Sequence, residues 1–330
     1  MAAPMTRKER VRAALRGEPV DHVPVSLWGH DYLREWSPQD LAAHTLESYR
    51  AHHWDFIKLN PRWTFFAEAW GNRYERPTEQ RRPTLVQPAV TSADDLARLD
   101  PVGARSGAFG EQLEALGLVL RETHGEVDVL YTIFSPLAVI SLIAGQVPEP
   151  LRAFAHEDAA AVHHALAAAT VTLAEHARLA LDAGASGIFF APLQWASRRN
   201  CTGDFYREFG RPYDLQILHG LRDVEFTVLH VCGDDNMLDL LLDYPVAAFN
   251  WADHGVGNAS LAGARGMTAK TLIGGIDQQR ITAMSPGEAR AQAAEALHTV
   301  PTGFMLAGGC AIPPLTPPAV KNAIVAAARE

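Results

Sequence analysis

The chain has 330 residues, 48% of them hydrophobic and 20% charged, with a formal net charge of −9. That composition supports a large core and excludes a disordered chain, and the acidic balance argues against nucleic acid or an anionic membrane as partner. Three cysteines, an odd number, fit reduced thiols in a cytoplasmic protein better than a disulfide framework.

The first stretch, MAAPMTRKERVRAALRGEP, lacks the apolar core of a signal peptide. No apolar run approaches the roughly 18 residues of a membrane span. Thr6-Arg7-Lys8-Glu9 has capping-box spacing and predicts an N-terminal helix. A theme then repeats, in which a short apolar, β-rich run leads into a helical stretch. The runs are residues 22–27, 55–59, 127–133, 187–190, 225–229, 247–250, 271–274 and 303–306. Most are continuous rather than alternating, as in strands covered on both faces of a parallel sheet. Residues 159–182 predict Ala-rich helix, in one piece or two, stopped at Gly184. Ser285-Pro286-Gly287-Glu288 predicts a second capping box, with proline at the first helical position, and Thr316-Pro317 predicts the start of the last helix. Residues 70–101, rich in Pro, Arg and Glu, stand outside the theme.

Alternating strands and helices on this scale predict an α/β fold. The expected architecture is a single (β/α)8 TIM barrel domain over residues 1–330, with an N-terminal helix and a rim excursion after strand two. A doubly wound sheet is the rival, weakened because SLWGHDYLREW stands where its glycine-rich turn belongs.

Barrel active sites lie at the C-terminal ends of the strands. The residues to weigh are therefore Trp28, Gly29 and His30, then Asn60 and Arg62, Ser135, Gln194, His230 and Cys232, Trp251, Asp253 and His254, Asp277 and Gln278, and Gly308, Gly309 and Cys310. His230 and Cys232 are two apart and share a strand face. Cys310 follows the last run, which a closed barrel can bring to the same mouth. One imidazole and two thiols suit Zn2+, and three protein ligands leave the open position of a catalytic site. The same residues also fit two small buried hydrophobes and a satisfied core histidine, and spacing alone leaves both readings open.

Three stretches, ILHGLRDVEFTVLHVCGDD, TLIGGIDQQRITAMSPGEARAQAAEAL and GFMLAGGCAIPPLTPPAVKNAIVAAARE, resemble the uroporphyrinogen decarboxylase superfamily. Within it they are similar to the zinc-dependent, cobalamin-linked methyltransferase branch, which includes methylcobalamin:coenzyme M methyltransferases. LRGEPVDHVPV and WDFIKLNPRWTFFAEAWG carry the resemblance into the N-terminal half. It implies the same barrel, with His230, Cys232 and Cys310 as zinc ligands and catalytic residues. It also implies that a thiol acceptor loses its proton on zinc and takes a methyl group from methylcobalamin. No cobalamin-binding segment is evident in the chain, so the corrinoid would come from a partner corrinoid protein. The acceptor would be a small thiol such as coenzyme M, or a folate. The decarboxylase pattern fits less well. The arginine pair expected after the first strand is absent from WGHDYLREW, Arg62 stands near the position of a catalytic aspartate, and the last strand ends GGCAIPP without the expected histidine. A tetrapyrrole decarboxylase and a non-catalytic ligand- or corrinoid-protein-binding homologue are the alternatives.

Four further residues are candidates for substrate binding. His30, with Asp31, occupies the segment that grips substrate in the decarboxylases. Arg62 could hold an anionic group. Asp253 and Asp277 could touch substrate or orient a zinc-ligating histidine, or serve as turn and N-cap residues. The His52–His53 and His163–His164 pairs lie on expected helices, where neighbours diverge, and are read as structural. Cys201, in the polar loop SRRNCTGD, is expected to be partly exposed.

Overall fold

The computed structural model describes residues 4–330. Its main sheet has seven parallel strands: β1 (Phe56–Leu59), β4 (Asp128–Phe134), β5 (Gly187–Leu193), β6 (Phe226–Val231), β7 (Ala248–Trp251), β8 (Thr271–Ile276) and β9 (Phe304–Gly308). They lie side by side in chain order. A doubly wound sheet would reverse direction midway, so this order excludes it. The remaining two strands, β2 (Arg73–Glu75) and β3 (Thr84–Gln87), pair antiparallel in a separate hairpin.

The parallel sheet is curled. Alternate residues face inward, and Phe56, Leu130, Phe189, Phe226, Val228, Ala248, Ile273, Met305 and Ala307 pack into one cluster with Trp28. The opposite faces join the larger core beneath the helices. The N-terminal helix (Arg7–Leu15) closes the cluster from below with Val11 and Ala14. Its capping box is formed as expected, with Glu9 N–H donating to Thr6 Oγ1 and Thr6 N–H to Glu9 Oε2.

The expected first strand, residues 22–27, forms only one isolated bridge, Val25 with Leu306. Ser26 N–H donates to Leu306 O and Leu306 N–H to Pro24 O, while on the other side Asp55 N–H donates to Val25 O. Edge strands β1 and β9 thus both border this segment. Pro24 has no N–H to continue a ladder, which keeps the run from becoming a regular strand.

Elsewhere the punctuation holds. Residues Ala159–Asp182 form one helix, capped by Asp158 and ended before Gly184 at φ 111. Ser285 caps the helix Pro286–Thr299 with a full capping box. The last helix starts later than expected, at Pro318, because the Thr316 hydroxyl donates to Pro313 O instead of capping. Cys201 is buried, not partly exposed, with Sγ 3.1 Å from Trp195 O. Burial pushes its thiol up to about 11, so it is a poor nucleophile.

Candidate metal centre

Strand β6 ends two residues further along than expected, at Val231, so His230 lies on the strand itself. Phe226 and Val228 point inward, and the period of two places His230 and then Cys232 on the same face. Gly233 then turns the chain at φ 81, a left-handed conformation that glycine adopts without penalty. Beyond β9, a Cβ on Gly309 would lie 2.5 Å from Ala252 Cα and 2.7 Å from Trp251 O. Only glycine permits that close approach, and it sets Cys310 beside the end of β6.

The ligand atoms of His230, Cys232 and Cys310 all lie within 4.8 Å of one another. Cys310 Sγ is 3.5 Å from His230 Nε2 and 3.9 Å from Cys232 Sγ. Among the described residues, this is the one cluster of three or more His, Cys, Asp or Glu with converging ligand atoms.

Asn250, on β7 beside His230, decides which imidazole nitrogen is free. Its Nδ2 donates to Ile273 O and Gly308 O at 2.9 and 3.1 Å. That fixes Oδ1 as an acceptor, 2.6 Å from His230 Nδ1. Nδ1 therefore carries the proton, and Nε2 presents a lone pair to the two sulfurs.

The two thiols are electrically unequal. Donation from Cys232 holds Cys310 below the usual thiol range, against the effect of burial. The same interaction, together with burial, pushes Cys232 well above it. Two sulfurs and an imidazole nitrogen that faces them form a donor set that fits zinc.

The other expected site residues spread around this cluster. His30 stacks on Tyr32 with ring centroids 4.9 Å apart, and its Nδ1 is 2.8 Å from Glu35 Oε2. Burial raises the pKa of Tyr32, against a lowering by the neighbouring Arg82. The hairpin loop packs here too, where Gln80 binds the Asp31 carboxylate and the Tyr32 amide. Arg62 is not turned to the cluster. Its guanidinium is held by Glu68 and Glu111 and lies over the Trp36 ring. Asp253 accepts from Gly275 N–H, and burial raises its pKa. Asp277 accepts from the backbone N–H of Gln279 and Arg280, as a turn aspartate does.

Two residues of the site escaped the sequence reading, Asn250 and Lys58. Each is a polar residue inside an apolar run, AAFNW and DFIKL, and that interruption was the available signal. An open cleft of about 660 Å3 lies at the opposite end of the strands, where Arg10 is already paired with Asp21 and Asp55.

A curled parallel sheet with a His–Cys–Cys cluster at its C-terminal edge defines a TIM-barrel-like α/β protein. The chain belongs to the uroporphyrinogen decarboxylase (URO-D) family, whose model matches residues 6–330. It is 22% identical to the methylcobamide:CoM methyltransferase MtbA of Methanosarcina acetivorans, covering 98% of both chains. It is 25% identical to the methylcobamide:CoM methyltransferase MtaA of Methanosarcina barkeri, again over 98% of both. Among solved structures, a methyltransferase from Methanosarcina mazei superposes with a TM-score of 0.81 at 24% identity, over 98% of each chain. A B12-independent methionine synthase from Shewanella sp. W3-18-1 gives 0.61 at 16% identity, covering 94% of this chain and 93% of that one. These two likenesses establish the shared fold.

Proposed function

We propose that this chain is a zinc-dependent methyltransferase. It moves a methyl group between a corrinoid protein carrying methylcobalamin and a thiol, or a related acceptor such as a folate. The observation that carries this reading is the convergence of His230 Nε2, Cys232 Sγ and Cys310 Sγ, with Nδ1 of the histidine engaged elsewhere. Resemblance to the methylcobamide:CoM methyltransferases supports it along the whole chain. The decarboxylase alternative is disfavoured because WGHDYLREW lacks the expected arginine pair and Arg62 stands near the position of a catalytic aspartate.

Within this reading the chain is a single domain. Residues 24–26 take the eighth position of a closed (β/α)8 barrel, and the β2–β3 hairpin is the rim excursion. His230, Cys232 and Cys310 hold the metal and leave one position for the acceptor. Zinc there supplies a Lewis acid that ionises a bound thiol near neutral pH. Asn250 fixes the imidazole's tautomer and aim. His30 lines the acceptor's side together with Tyr32. Arg62, Asp253 and Asp277 shape the mouth from behind, since their polar atoms already hold backbone or carboxylate partners. No helix among the described residues is long and apolar enough to cross a membrane. We place the protein in the cytoplasm, where its three free cysteines would stay reduced.

Methyl transfer from free methylcobalamin to a panel of thiols and folates, followed by corrinoid absorbance, tests the activity. Demethylation that requires both the protein and an acceptor is the expected result. The reading fails if no acceptor demethylates the cofactor and no corrinoid protein binds. Asn250→Ala should weaken zinc affinity about 10–100-fold by freeing the imidazole, as measured by competition with a chromophoric chelator. Unchanged affinity would remove Asn250 from its orienting role.

A further inference from the structure

The β2–β3 hairpin stands apart from the main sheet, and its strands are largely exposed. Its two ends are fastened differently. At the foot, Asn72 is 4% exposed. Its Oδ1 accepts from Ala89 N–H at 2.8 Å, and its Nδ2 donates to Leu142 O at 2.9 Å. One side chain thus clamps the chain where it enters and leaves the hairpin. Gly71, just before the clamp, turns the chain at φ 106, a conformation that glycine adopts without penalty.

At the tip, residues 76–83, RPTEQRRP, reach the segment that follows residues 24–26 at the mouth. Gln80 Nε2 donates to Asp31 Oδ1 at 2.7 Å, and Tyr32 N–H donates to Gln80 Oε1 at 3.1 Å. Arg76 Nη2 donates to Leu33 O at 2.8 Å. Arg82 neighbours Tyr32 and lies within electrostatic reach of Cys232. The tip therefore lies over the same mouth as the metal cluster. Asn72 is buried, but Arg76 is exposed and Gln80 and Asp31 are half-buried, so water can replace the tip's bonds and not the foot's. A bond that water can replace contributes little net, and a segment held by such bonds opens at low cost. The proposed transfer needs both positions. A thiolate reacts best in a site closed to water, whereas a corrin ring carried by another protein needs an open mouth.

We propose that the β2–β3 hairpin is a lid over the His–Cys–Cys cluster, with Asn72 as its hinge clamp and Gln80 as its latch. The lid closes over a bound thiol acceptor and opens when the corrinoid is admitted. What passes beneath it rests on the transferase reading above; the opening itself does not. Lids act by sequestering the site and by setting the rate of entry and release. Gln80 holds this one shut through Asp31 and Tyr32, so it governs the cluster's exposure and touches no reacting atom.

The test compares wild type with Gln80→Glu and with the double variant Gln80→Glu, Asp31→Asn, each shown to be folded by thermal melting. Gln80→Glu sets two carboxylates against each other and breaks the latch. Adding Asp31→Asn returns an amide–carboxylate pair and keeps an acceptor for Tyr32 N–H, so it should restore the latch. Gln80→Ala, which removes both bonds without adding charge, serves if the charged variant does not fold. Two readouts report the lid, and neither needs turnover. Trypsin can cut the tip only after Arg81, because Arg76 and Arg82 each precede a proline. Iodoacetamide labels Cys232 and Cys310, read by mass spectrometry, with buried Cys201 as the reference. Gln80→Glu should speed tip cleavage and labelling of both cluster cysteines about tenfold, the effect of losing a hydrogen bond or two, and leave Cys201 unchanged. The double variant should return both rates toward wild type. Faster cleavage with unchanged labelling would mean a loose loop that covers nothing, and it overturns the lid. So does unchanged cleavage, or equal acceleration at Cys201. If cleavage and labelling respond as expected but no thiol or folate takes a methyl group from methylcobalamin, the transferase reading falls and the lid stands.

Discussion

Cys310→Ala is expected to strip zinc from the protein and lower methyl transfer about a thousandfold, the equivalent of about 4 kcal/mol of lost Lewis-acid stabilisation. Cys310 Sγ approaches both His230 Nε2 and Cys232 Sγ. Without it, one imidazole and one thiol remain, fewer than the three protein ligands of an open zinc site. Metal analysis of the purified protein and turnover with the best acceptor measure the two effects. Cys201→Ala is the control, because that thiol is buried against Trp195 O and belongs to no cluster. Full zinc occupancy in a protein lacking both Cys232 and Cys310 would refute the ligand assignment.

Asp55→Ala should be the most damaging change away from the metal, costing about 3–5 kcal/mol, as breaking a buried ion pair does. The Asp55 side chain is 2% exposed and lies 2.6 Å from Arg10 Nη1, while its second oxygen accepts from Val25 N–H. It therefore ties the N-terminal helix and the bridging segment 24–26 to the start of β1. Burial works to raise its pKa, but the His22 ring, the Val25 amide and Arg10 outweigh burial, and the net value lies below the ordinary 3.8. The stabilisation is then fully present above that ordinary value, and it is lost as pH falls through the depressed native one. Urea unfolding at neutral pH should show the full difference from wild type, and the difference should shrink in acid. A constant difference down to strongly acidic pH would mean that the carboxylate's charge is not what stabilises.

Much of the fold was legible because parallel strands covered on both faces must be apolar and short, and helices must be capped. Seven of the eight expected runs are strands, extended mostly at their C-terminal ends, and both expected capping boxes are complete. The run that failed, residues 22–27, was apolar enough, but Pro24 denied it a continuous ladder. The thiols of the site were legible for a related reason. H-x-C on an extended strand must put both side chains on one face, and chain order around a curled sheet brings the last strand's end toward the same mouth.

The sequence by itself determined the strand and helix order, the shared face of His230 and Cys232, and the kind of chemistry that one imidazole and two thiols allow. These follow from local periodicity and residue type, which need no knowledge of neighbours. Tertiary structure alone decided which cation is free. Lys58 lies in one short apolar run and Arg62 just after it, yet Glu111 reaches Arg62 from a helix 49 residues away, whereas no carboxylate among the described residues pairs with Lys58. It also decided which histidine nitrogen can meet a metal, because Asn250 is 20 residues from His230 in the chain and 2.6 Å from it in space. Charge pairing and hydrogen bonding act over a few ångströms between residues far apart in sequence, so only the folded arrangement can assign them.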